Sequence, residues 1–296
     1  MFLATVTCNR DFHQMLLQAE SIQKFVEPCK HVIIINEAEP NTEFWYRWLS
    51  PYYENHELEI IPRIEYLYPM QVFGHRNPDG VVISDSNGWR TQQIQKLLLS
   101  YVYQDDYVLL DSKSFFVCKT SLSEWDNIVG SGVYNPVGSI GMFEHTLATY
   151  QESLGYNINY VTAVTPPYKI KHKPLVDNCK LSELGYHLFR PEFRHAVTSE
   201  FIFYSLFVQD EIKKSMDCVF PPLGISLWDF DRTELFNKIN NSLTEVATAN
   251  VKTLAFHRKL LHLLSLDEFS KINDILSSGK FNLHFKNKII PMINSH

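Results

Sequence analysis

The chain is 296 residues long, 45% hydrophobic and 20% charged, with a formal net charge of −6. That balance excludes a disordered chain, and with no basic face it excludes a general nucleic-acid binder. The length suits one large α/β domain, or one with a small appendage.

Met1 leads into the apolar Phe2-Leu3-Ala4 without a basic leader. No apolar run reaches the ~18 residues of a membrane span. The expectation is a chain with neither secretion signal nor transmembrane segment. Phe2 to Thr7 reads as the first strand, and Asp11 can cap a helix whose apolar positions are Phe12, Met15, Leu16, Ala19 and Ile22. His31 to Ile35 is a second buried strand and Leu58 to Ile61 a third. Pro69, Gly74, Pro78 and Gly80 make Tyr66 to Gly88 mainly loop, with a short apolar Val81-Val82-Ile83. Ile94, Leu97, Leu98, Tyr101 and Val102 form one helical stripe, which leads to the apolar strand Tyr107 to Asp111. Such alternation of strands and helices specifies a mostly parallel sheet covered on both faces.

Beyond Asp111 the alternation loosens. Phe143, Thr146, Leu147, Tyr150 and Leu154 suggest a helix, and Tyr160 to Val164 a strand that stops at Thr165-Pro166-Pro167. A further helix is expected near Ser199 to Gln209. The tail from about Arg232 reads as helical, with a capping box at Ser265 and Glu268. The expected organisation is residues 1–230 as the main domain, with 231–296 a helical extension packed on it. The five cysteines, Cys8, Cys29, Cys118, Cys179 and Cys218, are widely spaced without a Cys-x-x-Cys pair. This usage fits reduced thiols and a cytoplasmic location.

Two segments carry chemistry. Gly88-Trp89-Arg90-Thr91-Gln92-Gln93 opens a helix that continues through Lys96-Leu97, and Tyr107-Val108-Leu109-Leu110-Asp111 is a buried strand ending on an acid. In open α/β sheets ligands bind outside the carboxyl ends of the strands. Asp111 is therefore placed for ligand contact, although a strand-end acid can also simply cap a turn. The layout resembles the GT-A type of sugar-nucleotide glycosyltransferases, in which an Asp-x-Asp motif follows a buried central strand. It resembles most a bacterial and phage group sharing the Gly-Trp-x-x-Gln-Gln-x-x-Lys-Leu helix. The second acid of the motif is Lys113 here.

The resemblance implies a GT-A-like, Rossmann-like α/β fold. It also implies transfer of a sugar from a UDP- or GDP-linked donor to a hydroxyl of a saccharide or glycolipid. Asp111 would contact the donor ribose or a metal on the diphosphate. Lys113 repels a divalent ion and can itself pair with phosphate, so metal-independent chemistry is favoured over manganese or magnesium. Ser112 would assist either way. Arg90, Gln93 and Lys96 would face the donor, the alternative being a solvated helix face. Thr7 and Asn9 would border the base or ribose, whereas Asp11 is read as a helix cap. On the acceptor side the resemblance places Thr165, Pro166 and Tyr168 along a pocket and Glu200 as general base. An acid in a first helical turn also favours the macrodipole, which is the plainer explanation of Glu200. His172 reads as surface loop, and His257-Arg258 as a helix-surface pair.

Two other functions fit parts of the pattern. A nucleotidyltransferase also uses an α/β sheet with a phosphate cluster, but Thr5 to Phe12 holds no glycine for a phosphate loop. A catalytically inert sugar-nucleotide or glycan-binding protein would account for the missing second acid.

Overall fold

The computed structural model describes residues 1–65, 87–164, 166–188, 199–216, 224–227, 237, 239–241, 251–257, 264–277, 281 and 283–284. The short apolar Val81-Val82-Ile83 and most of the expected loop around it lie outside these residues. In chain order the elements are β1 (Phe2–Thr7), α1 (Phe12–Phe25), β2 (Lys30–Ile35), α2 (Thr42–Leu49), β3 (Glu57–Pro62), α3 (Asn87–Tyr103), β4 (Tyr107–Asp111) and β5 (Ser114–Phe116). There follow β6 (Tyr134–Pro136), α4 (Glu144–Leu154), β7 (Tyr160–Thr162), β8 (Tyr168–Ile170), α5 (His172–Asn178) and α6 (Leu181–Leu188). The last are α7 (Glu200–Ser205), α8 (Gln209–Met216), β9 (Gly224–Leu227), β10 (Thr253–Phe256) and α9 (Leu266–Ser277).

The central sheet has the order β3-β2-β1-β4-β8. β1 pairs in parallel with β2 and β4, β2 with β3, and only β8 runs antiparallel, against β4. Side chains of a strand alternate between faces, and both faces here are apolar. Leu3, Ile33, Ile35, Val108 and Leu110 join a core with α1 and α2. Ala4, Val6, Val32, Ile34 and Leu109 join another with α3, α6 and α7. This double cover explains why the strands are continuous apolar runs rather than alternating ones.

The mixed α/β fold with a mostly parallel sheet is the one expected from the sequence, and β1 and β4 fall on their expected bounds. The capping box is present: Glu268 N donates to Ser265 Oγ at 3.3 Å and Ser265 N to Glu268 Oε2 at 2.8 Å. Other expectations need correction. Val102 is exposed rather than on the inward side of α3, where Ile94, Leu97, Leu98 and Leu99 reach the core and Tyr101 packs against it. His172 opens helix α5 instead of lying in a loop, and its backbone N–H donates to Asp106 Oδ1 at 3.0 Å. The tail contains a strand besides its helix. β10 pairs antiparallel with β5 and parallel with β9, so residues 253–256 share a sheet with residues 114–116. Helix α2 was not anticipated; Asn41 Oδ1 caps it by accepting from Phe44 N at 2.9 Å, and Trp45 and Leu49 anchor it.

Gly130 sits where the chain passes against β7 and exchanges two backbone hydrogen bonds with Lys169. Its φ is +63°, and an added Cβ would lie 2.3 Å from Thr162 Cγ2. Gly130→Ala should therefore lower stability by about 1–3 kcal/mol. Urea denaturation measures this, and an unchanged midpoint would contradict the close approach.

Candidate active site

Asp111 is the last residue of β4, at the carboxyl end of the central sheet. Its Oδ2 meets Lys113 Nζ at 3.2 Å across the turn to β5. One layer deeper, Lys96 Nζ on α3 meets Glu200 Oε1 on α7 at 2.5 Å. Glu200 is 2% exposed. Lys96 also lies 5.1 Å from the centroid of the Phe201 ring, and its carbonyl accepts from Tyr107 Oη at 2.5 Å. Two acids and two ammoniums thus form two ion pairs, Lys113–Asp111 and Lys96–Glu200, with no excess charge among the four.

Their environments push the two carboxyls apart. Burial acts to raise Asp111, but the ammoniums of Lys113 and Lys96 outweigh it and hold the group below its ordinary range. Burial raises Glu200, and Asp111 adds to this, while Lys96 only partly offsets it. Asp111 is accordingly the persistent anion and Glu200 the stronger base. Carboxylates separated in this way can take different roles in one reaction.

A chain of buried hydrogen bonds holds the Asp111 turn. Gln18 on α1 donates through Nε2 to the carbonyls of Asp111 and Ser114, each at 2.8 Å. Its Oε1 accepts from Thr5 Oγ1 at 2.9 Å, and Thr5 Oγ1 lies 3.0 Å from His31 Nε2. Since the Thr5 proton is spent on Gln18, His31 Nε2 must donate to Thr5. Burial lowers His31 to about 3, so the ring is neutral and its Nδ1 accepts from Tyr53 Oη at 2.7 Å. Every proton in this relay has one possible place. A polar residue on the inward stripe of α1 was the available signal for Gln18, and it was overlooked.

Asp11 occupies the N-cap position of α1 but makes no side-chain cap. Its Oδ2 instead accepts from Ser112 Oγ at 2.7 Å, which turns it toward the Asp111 loop. Ser112 is buried by that contact. Thr7, at the end of β1, has a buried Oγ1 with no hydrogen-bond partner among the described residues. Asn9 Oδ1 accepts from Trp45 Nε1 at 3.4 Å, and Asn9 N donates to Glu37 Oε1 at 2.8 Å. On α3, Gln92 Nε2 donates to Val6 O at 3.2 Å, and Thr91 Oγ1 accepts from Asn36 Nδ2 at 3.2 Å. Gln93 and Lys96 are buried, so this face of α3 is not a solvated one. The Arg90 side chain and all of Thr165 and Arg258 lie outside the described residues.

The acceptor-side expectation for Tyr168 is not met. Tyr168 is fully buried in β8, stacked on Phe201 at 4.0 Å, with its hydroxyl against Thr162 and the Phe201 carbonyl. Its ring fills the core because β8 is covered on that face by α7. Pro166 is likewise buried, ahead of a cis Pro166-Pro167 bond. Glu200 is buried beside Lys96, so dipole stabilisation at a solvated helix end does not describe it.

The described residues around Asp111 do not fit a divalent cation. An ammonium occupies the side of the carboxylate where a second acid would complete the oxygen set. Among the described residues no group of three His, Cys, Asp or Glu side chains comes together. No described helix is long and apolar enough to cross a membrane.

No protein-family model matches the chain, and neither does any curated protein. Among solved structures it is similar to mouse xyloside xylosyltransferase 1 in its apo form, at 10% identity and a TM-score of 0.45, over 86% of this chain and 96% of that one. It is also similar to apo WbbM, a bifunctional glycosyltransferase, at 14% identity and 0.43, over 86% of this chain and 45% of the other. A third is the galactosyltransferase LgtC in complex with donor and acceptor sugar analogues, at 14% identity and 0.40, over 70% of each chain.

Lys96→Met leaves Glu200 buried without its counter-ion, which should cost about 3–5 kcal/mol. The double variant Lys96→Met/Glu200→Gln should recover much of that loss. Urea denaturation of both variants checks the pair, and equal losses would refute a coupled ion pair.

His31 gives a pH dependence. Its folded value lies near 3, below the unfolded 6.5, so unfolding takes up a proton in that window. The stability it contributes is present above pH 6.5 and is lost as pH falls toward 3, by up to roughly 1.4 kcal/mol per pH unit. His31→Gln should flatten that acid limb in a pH series of denaturation curves; an unaltered slope would exclude His31 as its source.

Proposed function

We propose that the protein is a glycosyltransferase that moves a sugar from a nucleoside diphosphate donor, UDP- or GDP-linked, to a hydroxyl of a saccharide or glycolipid. The observation that carries this reading is the Lys113–Asp111 pair at the carboxyl end of β4, with the buried Lys96–Glu200 pair close enough to act on the charge of Asp111. That end of an open α/β sheet is where ligands bind. The resemblance of the α3 helix and the β4 strand to the GT-A pattern supplies the substrate class.

In this mechanism Asp111 orients the donor ribose while Lys113 swings from the carboxylate toward the diphosphate. As the glycosidic bond breaks, negative charge grows on the leaving diphosphate, and fixed cations stabilise it. Lys113 and Lys96 supply them, so transfer proceeds without a resident divalent metal. The unpaired Thr7 hydroxyl and the amide of Asn9 contact the nucleoside, and Arg90, Gln93 and Ser112 complete the donor side. Glu200 takes the proton of the acceptor hydroxyl, a role suited to its raised basicity. Thr165 and Pro166 remain proposed borders of the acceptor, without Tyr168. A cytoplasmic location fits such a donor.

Lys113 against Asp111 also favours a second reading, a sugar-nucleotide binder that does not catalyse. One set of measurements separates the two: donor binding by calorimetry and sugar transfer, with and without exhaustive chelation. Asp111→Asn should weaken donor binding by about 1–3 kcal/mol. Glu200→Gln should keep donor binding and lose about 10²–10⁴ in turnover. Transfer should survive chelation. Donor binding without turnover in the wild type would leave the binder, and full activity in both variants would overturn the site.

A further inference from the structure

Among the described strands, β3 forms one edge of the central sheet. Successive residues of a strand turn their backbone N–H and C=O groups to opposite sides. Glu57 N donates to Cys29 O on the β2 side at 3.0 Å, so Leu58, Ile60 and Pro62 direct theirs outward. An outward row of this kind is a template for another strand, and folded proteins cover it.

A hydroxyl, a proline ring and an amide close this row. Tyr46, on α2, donates through Oη to Leu58 O at 3.2 Å and accepts from Ile60 N at 3.1 Å. One hydroxyl therefore takes both a donor and an acceptor that an incoming strand would need. Pro62 has no N–H to offer. Beyond the strand, the buried Gln95 amide of α3 accepts from Ile64 N at 2.8 Å and donates to Ile64 O at 2.9 Å, as a paired strand residue would. The acids of β3 are a weaker guard, because Lys30 Nζ meets Glu57 Oε1 at 2.9 Å and Glu59 Oε2 at 2.6 Å.

We propose that Tyr46 and Pro62 bar a second copy of the chain from adding its β3 to this sheet. Every copy carries the same outward row, so two β3 strands can pair antiparallel about a two-fold axis, each matching the other's donors with its acceptors. Tyr46 is the removable part of the barrier, since its side chain is 38% exposed and only its hydroxyl bonds to the row. Helix α2 thus guards the sheet edge as well as anchoring itself through Trp45 and Leu49. The inference stands independently of the transferase reading.

Tyr46→Phe keeps the ring while freeing Leu58 O and Ile60 N, and Pro62→Val supplies a donor. Sedimentation velocity over a range of concentrations reads self-association in the wild type, both single variants and the double variant. Amide hydrogen exchange locates it. The double variant should associate at about tenfold lower concentration than the wild type, because the freed groups can bond to a partner instead. In dilute Tyr46→Phe the Ile60 amide should exchange faster, and association should protect it together with Leu58. The barrier is overturned if the double variant sediments as the wild type does at every concentration. It is also overturned if the variant associates while Leu58 and Ile60 stay unprotected. Thermal melting establishes that each variant is folded, and if the double variant is not, Tyr46→Phe alone decides by the same two readouts.

Discussion

Lys96 and Glu200 meet at 2.5 Å inside the protein, and the packing of α3 against α7 is arranged around that contact. Taking both charges out of water is costly, and the cost is recovered only when the geometry is close and the remaining polar groups are satisfied. The pair therefore fixes where α3 and α7 stand relative to each other, although the two residues are 104 positions apart in the chain. Phe201 packs against the ammonium and stacks on Tyr168, which extends the constraint to β8. The same pair fixes the electrostatics next door, since the charge of Lys96 helps keep Asp111 ionised.

The Asp111 turn is held from the opposite face of the sheet by Gln18. A backbone turn carrying an acid and a lysine would flex if its carbonyls bonded only to water. Gln18 reaches both carbonyls with a single planar amide, so the two ends of the turn are set at one spacing. Behind it, Thr5, His31 and Tyr53 give the amide a fixed orientation. The site is thus braced by a rigid ion pair on one face and a directed hydrogen-bond chain on the other. The backbone of the turn is thereby fixed by contacts within the protein.

The sheet was legible in the sequence because its strands are apolar runs bounded by turn residues, and this pattern survives without knowledge of partners. Asp111 was legible for the same reason, as the first acid after such a run. The helix after Ser199 was expected too, but the burial of Glu200 beside Lys96 was not, because it depends on α3 meeting α7. Other features depend on contacts distant in the chain. Lys113 in place of a second acid does not reveal that it lies on Asp111. Gln18 is a lone polar residue in an apolar stripe, and its meaning depends on the two carbonyls it meets. Tyr168 could equally have lined a cleft or filled a core, and the cover of α7 decides it. Helix α2 has only Trp45 and Leu49 facing inward, with aromatics elsewhere around it, so its periodicity was masked.

The pairing of β5 with β10 bears on how the protein is made. β4 can dock on β1 as soon as it has left the ribosome, because its partner was synthesised first. β5 begins three residues beyond Asp111, yet its partner strand is Thr253–Phe256. Chains emerge at about 5–20 residues per second and fold from the amino-terminal side. For several seconds the turn is therefore anchored by β4, Gln18 and the Ser112–Asp11 hydrogen bond, with the edge of β5 open. Synthesis consequently finishes the central sheet early and the β5 pairing late, and a ribosome stalled before residue 253 would hold a chain whose central sheet can form while β5 still lacks its partner.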